Sequence, residues 1–292
     1  MAGAGTARGE LRIDRMRQEN PLPVQACGSR AYRADVLVTV LGVPVFSRAN
    51  VGNAFLWFRE CSSGGLRATS LHFAGGSRPE RAHGVHYSGS LEEAAVERGG
   101  TLMEAANFGF VTASQEESYA EARKRVAAKT SAPITFVAVE SLHRPGTVRN
   151  SKAYLTLPCE DTGDWHEQIG EIRSLFSTAR VTTSELRPAG GTPRTFLHSI
   201  LAVIRSADNV FASEYVHNGN LFRLECEKAA DKHLTRVTGR TRNLGNGRMA
   251  SFRFWLEQGS DYPARIEFQP RSYLRIVLEP DPPAQLPTKE AV

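Results

Sequence analysis

Three groups of residues in this chain have types and spacings that could do chemistry. His72, His83 and His86 fall within a short stretch, with Glu80 among them and Glu92 and Glu93 just beyond. Imidazoles on a loop that folds back can bind zinc, but this spacing matches no named zinc motif. A lone general acid or base, His86, competes there with a solvated loop of hydrogen-bonded histidines. Asp164-Trp165-His166-Glu167 sets a histidine between carboxylates. A helix cap with Asp164 at its start and Glu167 as return partner accounts for the same residues. The third group lies in the last third of the chain: Glu214, Tyr215, His217, Arg253, Trp255, Glu257, Arg265 and Glu267. If they line a lumen, they offer aromatic walls and paired charges, the make-up of a small-molecule site. If they face water, they are cross-strand ion pairs of small worth. In the lumen reading, His86, His217 and Glu214 are the acid–base candidates. Tyr215, Phe252, Arg253, Phe254, Trp255, Arg265 and Glu267 are then the ligand-binding candidates.

Nucleotide and hydrolase signatures are missing. There is no Gly-x-Gly-x-x-Gly, no phosphate-loop lysine and no Gly-x-Ser-x-Gly elbow. Gly190-Gly191-Thr192-Pro193 precedes a helix start, whose free amides could hold an anion. No cofactor and no metal is expected.

The elements that must position these residues are clearest from Val210 to Glu279. Val210 to His217 and Leu221 to Cys226 flank Asn218-Gly219, a pair suited to a tight hairpin turn. Leu234 to Thr241 follows, then the turn cluster Asn243 to Gly247. Ser251 to Glu257 alternates, with Phe252, Phe254 and Leu256 against Arg253, Trp255 and Glu257. Arg265 to Gln269 and Ser272 to Glu279 alternate again. Period-two alternation broken by turn residues predicts an antiparallel meander with one apolar face. A smaller meander opens the chain, from Tyr32 to Phe73. Ala74 to Gly89 reads as a loop and Leu91 to Arg98 as a short helix or strand end. Helices are predicted near 114–129, 164–178 and 193–207. Strands are not regularly interleaved with helices, which excludes a doubly wound parallel sheet. The predicted class is α+β and β-rich: an antiparallel meander curling into a barrel or half-barrel, with a central helical insert. The expected organisation is a flexible arm over 1–30, one β-rich domain over 31–279 and a disordered tail over 280–292.

Composition sets the outer bounds. The 292 residues are 41% hydrophobic and 23% charged, ordinary for a globular chain. No stretch reaches the roughly 20 apolar residues that span a membrane, and no apolar signal segment follows Met1, so the expected compartment is the cytoplasm. Cys27, Cys61, Cys159 and Cys226 lie far apart and read as reduced structural thiols. From His233 to Arg275 there are eight arginines against three carboxylates, an excess equal to the chain's net charge of +5. A basic sheet face could meet an anionic partner. Without a nucleic-acid motif, a solvated face of packed arginine stems is favoured.

Leu41-Gly42-Val43-Pro44-Val45, the strand Phe252-Arg253-Phe254-Trp255-Leu256-Glu257 and Pro263-Ala264-Arg265-Ile266-Glu267-Phe268 resemble bacterial lipocalin-like proteins of uncharacterised function. The resemblance covers mainly the two ends of the chain. It implies a calyx-like barrel and carries no catalytic residues. The leading functional expectation is binding of a small apolar or amphipathic molecule. One alternative is a cofactor-independent enzyme, a cyclase, isomerase or hydrolase using His or Glu inside the barrel. The other is an anionic-partner or nucleic-acid binder working through the arginine-rich sheet. An apolar cavity with no perturbed acid or base would favour the first, and a buried histidine or glutamate the second.

Overall fold

The structure is a computed structural model. It describes residues 24–40, 43–78, 80–82, 87–113, 134–157, 165–271 and 273–281, with the backbone alone for 24–27, 40, 43, 165–168, 270 and 271. The helix expected near 114–129 and the histidines at 83 and 86 lie outside the described residues.

Among the described residues, fourteen strands form one antiparallel sheet. Strands β1 (Val24–Val40), β2 (Val43–Ser63), β3 (Leu66–Ser77), β4 (Ser88–Arg98), β5 (Thr101–Thr112), β6 (Ile134–Arg144), β7 (Thr147–Leu157) and β8 (Thr182–Leu186) pair in sequence order. Strands β9 (Val210–His217), β10 (Asn220–Asp231), β11 (Leu234–Asn243), β12 (Met249–Leu256), β13 (Pro263–Arg271) and β14 (Leu274–Pro280) form a second run. The runs join where β14 pairs with β1, Tyr32 opposite Pro280 and Val38 opposite Leu274. The free edges are β8 and β9. The sheet is therefore not closed by hydrogen bonds, unlike the eight-stranded barrels of lipocalins.

The second run matches the alternation closely. Asn218 and Gly219 take φ of 50° and 69°, the left-handed pair that a tight hairpin needs. Phe252, Phe254 and Leu256 are buried, whereas Arg253 is exposed. Of the two readings of Leu91 to Arg98, short helix or strand end, β4 takes the strand. Leu91-Glu-Glu-Ala-Ala-Val96 is rich in helix formers, yet it pairs on one side with β3 and on the other with β5. Helix propensity is a weak prior and a strand paired on both edges overrides it.

Two helices occur among the described residues, on opposite faces of the sheet. Helix α1 (Trp165–Thr178) sets Ile172 and Phe176 on Phe108, Phe110, Phe136, Ala138 and Leu155 of β5–β7. Helix α2 (Phe196–Arg205) is apolar nearly all round, as a buried helix must be. Leu197 and Leu201 pack on Phe58 and Leu71 of β2 and β3. Val203, Phe196, Ile200 and Ile204 pack on Leu224, Val237, Phe252 and Phe254 of β10–β12. One helix touching both runs means that the sheet curls around it, so the face towards α2 is the inner face. Each aliphatic or aromatic side chain fully buried there contributes about 1.5–3 kcal/mol.

The curl is latched by the segment that leads into α2. Thr192 Oγ1 donates to Met103 O of β5 at 3.1 Å, and Val216 N of β9 donates to Arg194 O at 2.9 Å. Residues 192–195 thus span from one run of strands to the other.

Candidate functional site

Strand register builds a polar row across the inner face beside the start of α2. Glu93 of β4 stands opposite Asn107 of β5, Asn107 opposite Ser141 of β6, and Ser141 opposite Asn150 of β7. All four are buried. Ser141 Oγ donates to Asn150 Oδ1 at 2.7 Å. His143 sits two residues along β6 from Ser141, on the same face, and is 0% exposed. Glycine at 219, in the β9–β10 turn, lies against this row: a Cβ there would stand 3.1 Å from Asn150 Nδ2.

Glu93 is a capping carboxylate supplied from another element. The N-cap residue of α2, Thr195, makes no side-chain cap. Instead the His198 amide donates to Glu93 Oε2 at 3.0 Å. An anion at a helix N-terminus is favoured by the free amides and the helix dipole. The anion that Gly190 to Pro193 suggested is the chain's own. Burial nonetheless pushes the Glu93 carboxyl up to about 7, against the opposing pull of the neighbouring Thr195 hydroxyl and of the amides of Leu197, His198 and Phe196. The Thr195 hydroxyl stands by this carboxyl, but no hydrogen bond of good geometry reaches Glu93 Oε1 or Thr195 Oγ1.

The histidines are held neutral. Burial lowers His143 to about 4, against the Pro193 carbonyl, which favours the charged form. His143 Nδ1 lies 2.9 Å from that carbonyl oxygen. A carbonyl only accepts, so Nδ1 carries the proton and Nε2 presents a lone pair. That Nε2 is buried and unpartnered. Burial and the neighbouring His143 lower His217 to about 4. Its Nδ1 is likewise unpartnered, and its ring lies 6.3 Å from Phe196 and 6.4 Å from Phe222. Burial lowers His198 to about 4, although Glu97 Oε1 stands 3.5 Å from its Nε2. Tyr215 stacks on Phe222 at 5.2 Å, and burial raises its phenol well above the usual range.

Beyond the polar row the inner face is apolar and partly buried. Leu91 and Phe73 lie one row beyond Glu93 and pack beside Leu197 and Leu201 of α2, and Leu56 and Ile276 continue the face. A concavity of about 710 Å³ lies at the other end of α2, lined by Arg205, Lys228, Leu256 and Asp261 among others. Its charges are engaged: Lys228 Nζ caps the Ile204 and Ser206 carbonyls, and Arg205 binds Glu60 and Asp261. It lies away from the orphaned polar atoms.

The residues singled out from the sequence divide between the two faces. Tyr215 and His217 are at the polar site. Phe252 and Phe254 face inward, but α2 covers them, so they are core and not an open wall. Glu214 is exposed on β9, where strand parity turns it away from Tyr215's neighbours. Arg253, Trp255, Arg265 and Glu267 are on the outer face. There Glu267 binds Arg265 at 2.8 Å, with Arg253 and Arg275 at 4.0 and 3.9 Å. Arg265 lies over the Trp255 ring at 5.4 Å, and Trp255 Nε1 donates to Asp231. Glu225 takes Arg240 and Arg223 in the same way. The basic excess is thus locally interleaved with carboxylates. His72 bonds Ser90 Oγ at 2.8 Å, and no cluster of three or more metal-ligating residues occurs among the described residues. Cys226 is buried, which pushes its thiol up to about 12 and removes it from nucleophilic chemistry. No helix among the described residues is long and apolar enough to cross a membrane.

Glu93, Asn107, Ser141, His143 and Asn150 went unrecognised as a site in the sequence. The available signal was polar residues at inner-face parity: Val137, Val139, Ser141, His143 run from apolar to polar along one face of β6.

No family model matches the chain, and no curated protein matches it. Among solved structures it is similar to a β-barrel-like protein of domain of unknown function DUF1849 from Brucella abortus. That similarity has 5% identity, covers 87% of this chain and 95% of that chain, and has a TM-score of 0.47.

Proposed function

We propose that this protein binds a small amphipathic molecule on the inner face of its curled sheet. The ligand's polar end sits at the Glu93–Asn107–Ser141–Asn150 row, and its apolar part lies along Leu91, Phe73 and Leu56. The observation that carries this reading is the set of buried, unpartnered polar atoms beside the start of α2: Glu93 Oε1, Asn107 Oδ1, His143 Nε2 and His217 Nδ1. A buried polar atom without a partner costs about 1–3 kcal/mol. Several on adjacent strands mark a place where a ligand's hydrogen bonds would recover that cost. Of the apolar and amphipathic ligands expected from the sequence, the amphipathic one is favoured, because a wholly apolar molecule would leave these atoms unmet.

The test is native mass spectrometry of the full chain purified from cell extract, with Asn150→Leu as control. A small molecule retained by the parent and lost from the variant is the expected result. Equal retention by both would place the ligand elsewhere.

Acid–base catalysis is the second reading, favoured by one observation. A carboxyl tuned to about 7 is poised to exchange a proton at neutral pH, and Glu93 has that property inside the site. It needs a bound substrate first, so it follows from the binding reading.

A further inference from the structure

We infer that the polar end of the ligand is a primary ammonium, held by Glu93 Oε1, Asn107 Oδ1 and His143 Nε2. This rests on the binding reading above and adds the chemistry of the head group. Three observations lead to it. Each of the three atoms is buried and unpartnered, and the residues are 1%, 4% and 0% exposed. They come from three consecutive strands, β4, β5 and β6. Glu93 is directly opposite Asn107, and His143 is diagonal to Asn107 through Ser141. Neighbours in such positions lie within about 4.5–8 Å across a sheet. Finally, all three are acceptors once Glu93 is ionised. The carboxylate accepts, the amide presents its oxygen, and the Pro193 carbonyl fixes the proton of His143 on Nδ1, leaving Nε2 a lone pair.

An ammonium has three N–H donors and no acceptor, so it brings one donor for each of the three atoms. A hydroxyl brings one donor and would leave two of them unmet. A carboxylate or phosphate brings mainly acceptors and would face the ionised Glu93 as a like charge. A buried cation also needs a counter-charge, which Glu93 supplies when ionised. No cation is among the groups that act on the Glu93 carboxyl, and Arg67 is paired with Glu97.

The test compares n-octylamine, octan-1-ol and octanoate by titration calorimetry on the full chain at pH 6.5. Octylamine is expected to bind about tenfold or more tightly than the other two. It should also release protons, read from the dependence of the heat on buffer ionisation, because the ammonium drives Glu93 to its charged form. Glu93→Gln, which keeps an acceptor for the α2 amides, is expected to abolish the amine preference. Asn107→Leu removes an acceptor that has no protein partner. It should keep or raise thermal stability while weakening octylamine about tenfold, a combination that a merely structural residue would not give. Octanol or octanoate binding as well as octylamine, with the His217 resonances perturbed, would overturn the ammonium and leave the binding reading intact. No binding by any of the three would overturn both.

Discussion

His143 shows how one backbone carbonyl decides what a side chain can do. Burial keeps the ring neutral, and Pro193 O takes the Nδ1 proton, so the ring enters the site as an acceptor. Long-range 1H–15N spectra should show His143 and His217 neutral at pH 6, with His143 in the Nδ1–H form. Titration near the ordinary histidine value of 6.5 would mean that water reaches the rings. Nothing in the local sequence forecasts this. Ser-Leu-His-Arg at the end of a strand reads as surface, and Pro193 is fifty residues away. His217 was legible because it sits beside a recognisable Asn-Gly turn in a clean alternation. Glu93 was visible only as part of an acidic pair after a histidine-rich loop, and its partner helix begins at residue 196.

At the scale of elements, α2 determines what the inner face can hold. The closing meander could be read from alternation because each strand reports its own two faces. Which face is inward could not, since that depends on where a helix between β8 and β9 docks. Gly239 records that docking. A Cβ there would stand 2.1 Å from Cζ of the Phe252 ring, whose strand packs under α2. Gly239→Ala is expected to destabilise the fold by about 1–3 kcal/mol, as overpacked cores do. Gly64→Ala is the contrast: its Cβ meets nothing, and its φ of 56° alone makes the change unfavourable. Urea denaturation of both variants checks this, and an unchanged midpoint for Gly239→Ala would show that Phe252 is free to move. In the first run, the helical composition of Leu91 to Val96 left helix and strand both open, and pairing on both edges decides for the strand.

At the scale of the whole molecule, the buried titratable groups set how stability depends on pH. His143, His198 and His217 have folded values depressed to about 4 from 6.5. Their contribution is present above pH 6.5 and is lost as pH falls towards 4, because the unfolded chain binds their protons more readily. Glu93 works in the opposite sense. Its value is raised from 4.5 to about 7, so its contribution is present below 4.5 and is lost as pH rises through 7. Between 4.5 and 6.5 the three histidines outweigh the one glutamate. The unfolding free energy should therefore fall on acidification, by about 1.4 kcal/mol per pH unit for each excess proton. Urea midpoints at pH 7.5, 6.0 and 5.0 measure the trend. A flat or rising profile towards pH 5 would mean that the histidines are hydrated. Exposed outer-face pairs such as Arg240 with Glu225 have little part in this, since pairs in the open contribute about 0–1 kcal/mol.

The most direct measurement of the inner-face site is the 15N spectrum of the His143 imidazole during titration of the full chain with n-octylamine. The expected result is a saturable shift of His143 Nε2, with the ring still neutral, that disappears in Glu93→Gln. A His143 Nε2 resonance that stays still while octylamine binds elsewhere on the protein would contradict the assignment of this polar row as the binding site.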